Sequence, residues 1–194
     1  MTYDELKGLE VSTGGTIPLL ADVFTVCKNK TWVNIELKEE NPRAIEPVVR
    51  LVMDMGMMDQ VVFSSFVHNL RPELTKVLKR LGIEKKFSFG YLVWKFEEFP
   101  NYEQAQEGDS LNIDYDLYLK DSNRVLDEIA KARAKGMLIK FYIPRPHHID
   151  TEEDYKTFES LDVDTVITDF PEKMLEYFER KANKKELKMP SPLN

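Results

Sequence analysis

Hydrophobic residues recur along this chain with two alternating spacings, from Thr16 to Arg180. Runs in which every second residue is apolar are typical of β-strands, and apolar residues three or four apart are typical of amphipathic helices. The first pattern, together with short apolar runs, predicts six strands, over residues 32–38, 60–66, 87–94, 112–119, 137–143 and 163–168. The second pattern predicts six helices, over residues 16–30, 41–55, 72–81, 121–134, 151–161 and 171–180.

Several residues mark where these helices begin and end. Thr151 is followed three residues later by the acidic Asp154, which is the spacing of a capping box at a helix N-terminus. Gly56, Gly82 and Gly136 each follow a helical pattern. We expect them to end their helices, because glycine readily takes the left-handed conformation found there.

Strands and helices alternate strictly, which favours a parallel sheet whose strands are joined by helices. The doubly wound sheet and the barrel both have this pattern. A (β/α)8 barrel takes about 250 residues, or roughly 31 for each strand–helix unit. The 194 residues of this chain therefore supply about six units, and we predict an α/β fold, an incomplete TIM (β/α)8-type barrel. We assign residues 1–180 to this domain and residues 181–194 to a basic, frayed C-terminal tail.

The composition excludes several classes of protein. With 42% hydrophobic and 31% charged residues, the chain resembles ordinary globular domains. Its net charge of −7 repels phosphate backbones, so we expect no nucleic acid partner. We also expect no transmembrane segment, because no run reaches the ~18 apolar residues of a span. Met1–Glu5 does not resemble a signal peptide. The compartment stays open, with the cytoplasm or an intracellular complex as the default.

Four segments of the sequence point to a known family. They are Ile17–Val23, Asn34–Lys38, Val62–Phe66 and Val166–Pro171. In this order they resemble the glycerophosphodiester phosphodiesterases, and the likeness runs from about Tyr3 to the last helix. The resemblance implies a TIM barrel and a role in lipid metabolism. It also implies a divalent cation, calcium or magnesium, and hydrolysis of a small glycerophosphodiester substrate to glycerol 3-phosphate and an alcohol.

The same resemblance exposes a gap. The family carries His-Arg-Gly on its first strand, Glu-x-Asp on its second and His-Asp after a following hairpin, and all three motifs would lie before Met1. His68, His147 and His148 stand in none of these contexts. We therefore expect the first two barrel strands to be missing from this chain, together with the acid/base histidines and two of the carboxylates that bind the metal.

Glu36 and Lys38 are the strongest functional residues that the sequence offers. They lie two apart on a predicted strand and so project to the same side, toward the mouth of the barrel. There they could hold a cation and a phosphate oxygen, or they could form a surface ion pair. The resemblance implies that Glu36 binds the metal and that Lys38 neutralises phosphoryl charge. One carboxylate is a poor calcium site, because calcium takes 6 to 8 oxygen ligands.

Residues at the end of the next strand offer weaker possibilities. Ser64 and Ser65 could donate to a substrate oxygen, with Ser65 as the candidate, or their small size could serve tight packing. His68 and Arg71 could meet an anion near the next helix. A solvent-facing loop is favoured for both residues.

Two positions depart from the family pattern. Asp162 stands where family members tend to have glycine, and residues 140–144 replace a Trp-Thr-Val-Asn type segment that lines the family's pocket. Both departures suggest relaxed selection for substrate recognition.

Two further features are assigned no ligand. His147 and His148, with Asp150 nearby, suggest a metal site, but adjacent histidines point in different directions and an exposed loop is favoured. Trp94 is expected to pack against the sheet.

Two hypotheses of function remain. In the first, the chain is a glycerophosphodiester phosphodiesterase-like domain that needs a complementing segment for activity. In the second, it is a pseudoenzyme that serves as a structural or interaction subunit of a larger assembly. Because an unclosed barrel exposes two edge strands and apolar helix faces, we expect another protein chain to cover them in either case.

Overall fold

Six parallel strands form a single curled sheet in the computed structural model, which describes residues 2–11, 14–38, 42–144 and 150–182. The strands are β1 Val33–Glu36, β2 Val61–Ser65, β3 Phe89–Val93, β4 Ser110–Asp114, β5 Leu138–Tyr142 and β6 Thr165–Ile167. They lie side by side in the order in which they occur in the chain, and each neighbouring pair is parallel. This arrangement confirms the predicted α/β fold, an incomplete TIM-type barrel.

Helices connect the neighbouring strands except β3 and β4, which are joined by residues 94–109 with only a short 3-10 turn. The helices are α1 Tyr3–Leu6, α2 Leu20–Cys27, α3 Ile45–Asp54, α4 Leu70–Arg80, α5 Tyr115–Lys120, α6 Ser122–Ala134, α7 Glu152–Ser160 and α8 Pro171–Ala182. Short 3-10 turns occupy Pro42–Ala44 and Phe96–Glu98. Residues 183–194 lie outside the described residues, so the frayed tail stays a prediction. No helix among the described residues is long and apolar enough to cross a membrane.

The local signals for helix ends are confirmed. Thr151 and Asp154 form the capping box at the start of α7. Gly56, Gly82 and Gly136 follow α3, α4 and α6 with φ angles of +64°, +69° and +70°, in the left-handed conformation that ends a helix.

The predicted strand over residues 112–119 is wrong in its second half. Strand β4 ends at Asp114 and helix α5 begins at Tyr115. The Asp114 side chain accepts a hydrogen bond from the Asp116 N–H at 2.8 Å, so a side-chain cap starts a helix where the apolar alternation suggests a longer strand. Helix α5 then runs directly into α6, whose N-cap is Asp121.

The two faces of the sheet differ in polarity. The outer face, which the helices cover, is apolar and includes Ile35, Phe63, Tyr91, Ile113 and Phe141. The opposite, inner face carries smaller and more polar residues. At successive strands it includes Glu36, Ser64, Gly90, Asn112 and Lys140. Because chemistry in TIM barrels is performed at the carboxyl ends of the strands, the inner face at that end is where a site is expected.

Candidate functional site

Glu36 and Lys38 meet at the carboxyl end of β1. The Lys38 Nζ lies 3.4 Å from Glu36 Oε1, and the two side chains are 79% and 31% exposed, respectively. An ion pair this exposed adds little to stability. Both groups are therefore accessible to a ligand at the mouth of the curled sheet.

Ser65 is fully buried, and its hydroxyl is engaged by the backbone. The Oγ donates to the Leu37 carbonyl oxygen at 2.6 Å and accepts from the Val67 N–H at 2.9 Å. These bonds tie the residue between Glu36 and Lys38 to the turn that follows β2. In this geometry Ser65 positions the Glu36–Lys38 segment, and its binding to a substrate stays a prediction.

The inner face is tightly packed around Gly90. A Cβ at this position would lie 2.4 Å from Asn112 Nδ2 and 3.1 Å from Ser64 Cβ, so only glycine lets these side chains from neighbouring strands approach each other. The Ser64 Oγ and the Asn112 Oδ1 are buried and have no hydrogen-bond partner among the described residues. Lys140 pairs with Asn112 in the strand register, and burial lowers the pKa of its ammonium.

Three aromatic side chains stand at the mouth beside these polar groups. The Phe66 ring centroid lies 6.3 Å from that of Trp94 and 6.2 Å from that of Tyr142, in edge-to-face arrangements. The Tyr142 hydroxyl donates to the Val93 carbonyl oxygen at 3.0 Å, which fixes its ring. Phe66 and Trp94 remain 43% and 53% exposed. Trp94 therefore does not pack into the sheet as expected, and the Lys95 ammonium lies 4.1 Å from the centroid of its half-exposed ring.

Carboxylates surround this aromatic group. Burial raises the pKa of Tyr142, and the negative charges of Asp114, Glu98 and Glu36 act in the same direction. The carboxylates at the ends of β1 and β4 thus lie close enough to Tyr142 on β5 to act on its hydroxyl group. The sequence analysis missed Phe66 and Tyr142 as site residues, although each lies two positions after an inner-face residue on its own strand and so follows the strand period.

His68 and Arg71 both have structural partners. The His68 Nε2 lies 2.9 Å from the Leu92 carbonyl oxygen, and burial lowers the pKa of the imidazole, which favours its neutral form. The prediction of a solvent-facing loop for Arg71 is wrong. Arg71 is buried in the first turn of α4, because its guanidinium pairs with Asp109 from a distant part of the chain. His147 and His148 lie outside the described residues.

The two departures from the family pattern have different structural settings. Asp162 has a φ angle of +52°, in the left-handed region that glycine occupies without strain. Lys140 places a cation on the inner face.

The described residues alone do not fit a calcium or magnesium ion. No group of three or more His, Cys, Asp or Glu side chains among them is arranged to hold a metal. Glu36 supplies one carboxylate, and its nearest cationic partner is Lys38. A divalent cation therefore needs further oxygen ligands than this part of the chain provides.

Comparisons with known proteins identify relatives of this chain. The sequence matches no family profile. The uncharacterized protein YqiK of Bacillus subtilis is 28% identical over 88% of this chain and 69% of its own length.

Solved structures show a likeness of fold. A Galdieria sulphuraria protein, provisionally described as a glycerophosphodiester phosphodiesterase, superposes with a TM-score of 0.70 and 21% identity, over 92% of this chain and 70% of its own. A glycerophosphodiester phosphodiesterase from Parabacteroides distasonis has a TM-score of 0.65 and 22% identity, over 93% and 72%. The chain therefore has the fold of these proteins across most of its length.

Proposed function

We propose that this chain belongs to the glycerophosphodiester phosphodiesterase family and supplies the Glu36–Lys38 part of a site that hydrolyses phosphodiesters. Three findings support the proposal: the shared fold, the four sequence segments that resemble the family, and the position of Glu36 and Lys38. The observation that carries it is the Glu36–Lys38 pair at the carboxyl end of β1, where TIM-barrel enzymes bind their substrates.

Lys38 has the properties that a phosphodiester site needs. Its ammonium is exposed at the mouth, 3.4 Å from the carboxylate of Glu36. Phosphoryl transfer is accelerated mainly by fixed charges that stabilise the negative oxygens of the transition state. In this proposal Lys38 binds one such oxygen, and Glu36 orients the ammonium.

The proposal requires acid/base groups beyond those at the described mouth. His68 is occupied by the Leu92 carbonyl, so it is not placed to transfer a proton to or from a substrate. We propose that a complementing segment carrying His-Arg-Gly, Glu-x-Asp and His-Asp supplies these groups. Glycerol 3-phosphate released from glycerophosphocholine, with calcium or magnesium present, tests this proposal. We expect turnover when such a segment is co-expressed, and turnover by the chain alone would contradict it.

Lys38→Met should lower kcat/KM of the complemented protein by roughly a hundredfold, because it removes one charge that stabilises the transition state. Lys30→Met, which neutralises an exposed lysine away from the mouth, is the matched control and should leave kcat/KM unchanged. An equal effect of both substitutions would show that net charge alone, and not the position of Lys38, supports hydrolysis.

A second candidate function is that of a non-catalytic subunit. Among the described residues, β1 and β6 are the edges of the sheet and each pairs with only one strand. Exposed apolar side chains lie beside both edges: Val26 and Trp32 near β1, and Ile167 and Leu175 near β6. Exposed edges and apolar patches of this kind normally bind another chain.

This second function predicts self-association or binding of another protein chain. Light scattering across a range of protein concentrations should show an apparent mass that rises with concentration. Val26→Lys and Leu175→Lys should reduce the association, since each places a charge beside one edge. A monodisperse monomer at all concentrations, with native circular dichroism, would contradict the prediction.

A further inference from the structure

A cavity opens at the mouth of the curled sheet, between the turn after β2 and the loop after β3. Its volume is about 430 Å³. The residues that give it its chemistry are two aromatic side chains, two carboxylates and one imidazole: Phe66, Phe99, Glu97, Glu98 and His68. No lysine or arginine is among its lining residues, and burial lowers the pKa of His68, which favours the neutral imidazole.

Phe66 connects this cavity with the other aromatic residues of the mouth. Its ring contacts the rings of Trp94 and Tyr142 at right angles or nearly so, with interplanar angles of 70° and 90°. The three rings form a corner whose exposed part consists of Phe66 and Trp94. We call the cavity and this corner together the aromatic–acidic cleft.

The charges of the cleft favour a cation. Glu97 is exposed and makes no ion pair with any described residue, and Glu98 has only a distant partner, Lys95, at 3.8 Å. The Lys95 ammonium lies 4.1 Å from the centroid of the Trp94 ring. This is the geometry of a cation–π contact, so a cation of the chain itself already occupies Trp94, and an incoming cation binds at Phe66 and Glu97 or displaces Lys95.

We propose that the aromatic–acidic cleft binds an organic cation of the quaternary ammonium class. Aromatic faces attract such cations through the ring quadrupole, and nearby carboxylates strengthen the attraction. A metal ion is a poorer match, because it requires several converging oxygens. As an extension that rests on the proposed function, the cleft receives the cationic headgroup of the alcohol in a glycerophosphodiester.

Trp94 provides a direct probe of binding. The chain has two tryptophans, so the variant Trp32→Phe leaves Trp94 as the sole tryptophan reporter. We expect its fluorescence to change saturably with choline. The neutral isostere 3,3-dimethylbutanol, which has the same shape without the charge, should bind at least tenfold more weakly. Equal binding of the two compounds, or no saturation with choline, would overturn the proposal.

Two substitutions test whether choline binds in the aromatic–acidic cleft. Glu97→Gln removes the unpaired carboxylate and Phe66→Leu removes the central ring, and each should weaken choline binding severalfold to tenfold. Glu103→Gln, an exposed glutamate that does not line the cavity, is the matched control and should leave binding unchanged. If Glu103→Gln weakened choline binding as much as Glu97→Gln does, the assignment of the binding site to the aromatic–acidic cleft would be wrong. Because Glu97 is exposed, its variant keeps the test valid if Phe66→Leu impairs folding.

Binding and hydrolysis can fail separately. Choline binding without hydrolysis by the complemented protein would support the cation site and contradict the proposed function. Hydrolysis without choline binding would contradict the cation site alone.

Discussion

Replacing Arg71 by methionine should lower the free energy of unfolding by about 3–5 kcal/mol, because it leaves a buried carboxylate without its cationic partner. The Arg71 Nε donates to Asp109 Oδ2 at 2.8 Å, and the two side chains are only 4% and 1% exposed. Asp109 also accepts hydrogen bonds from the backbone N–H groups of Phe89 and Gln106, both at 3.0 Å. In the variant those two amides remain as partners of a charge that water does not reach.

The decrease in the free energy of unfolding caused by Arg71→Met should depend on pH. Burial raises the pKa of Asp109, and the hydrogen bond and charge of Arg71 oppose that rise. Without Arg71 the pKa in the folded state rises further above its unfolded value. Such a group destabilises the fold at pH values above its folded pKa, and the penalty falls as the carboxyl group is protonated at lower pH.

Urea unfolding at neutral and at mildly acidic pH measures both effects. The difference in free energy of unfolding between wild type and Arg71→Met should be largest at neutral pH and smaller at mildly acidic pH. Lys76→Met, which removes one partner of the exposed Glu73–Lys76 pair, should cost no more than about 0.5 kcal/mol. A loss for Arg71→Met as small as that of Lys76→Met, or one independent of pH, would contradict the role assigned to the buried pair.

This buried pair also marks the limit of what the sequence predicts. Residues 71 and 109 are 38 positions apart, and the segment before Asp109 is polar enough to suggest a loop with no buried charge. Hydrophobic spacing cannot reveal such a contact, because it reports only on neighbours along the chain. The six strands, apart from the second half of residues 112–119, and the glycines that end three helices were predictable, since period-two runs, short apolar runs and left-handed C-caps are local features.

The candidate site likewise has one part that the sequence predicts and one part that it does not. Glu36 ends β1 and Lys38 follows two positions later in the predicted strand, so their spacing was enough to expect them side by side. The aromatic corner of Phe66, Trp94 and Tyr142 draws on three strands, and its members meet only because the sheet curls and sets their register. Sequence pattern could place each ring on the inner face, but it could not bring the three together.

The second large effect concerns helix α5, the element that the strand prediction over residues 112–119 missed. Phe141→Ala should lower the free energy of unfolding by about 3–5 kcal/mol, through lost burial and the cavity left behind. Phe141 is fully buried on the outer face of β5. Its ring centroid lies 5.8 Å from that of Tyr115 and 6.0 Å from that of Tyr118, both on α5, and 5.5 Å from that of Phe158 on α7.

Equilibrium unfolding and amide hydrogen exchange together test this prediction. Phe141→Leu keeps much of the volume and should cost less than about 1.5 kcal/mol. Phe66→Ala makes the same change at a half-exposed ring, and should cost clearly less than Phe141→Ala. Relative to wild type, Phe141→Ala should accelerate exchange of the Tyr115–Lys120 amides more than that of the amides of α3, none of whose residues is among these rings. Helix α5 has only six residues, so it is too short to be stable by itself and needs the packing that Phe141 provides. Equal acceleration of exchange in α5 and α3 would therefore contradict a specific role for Phe141.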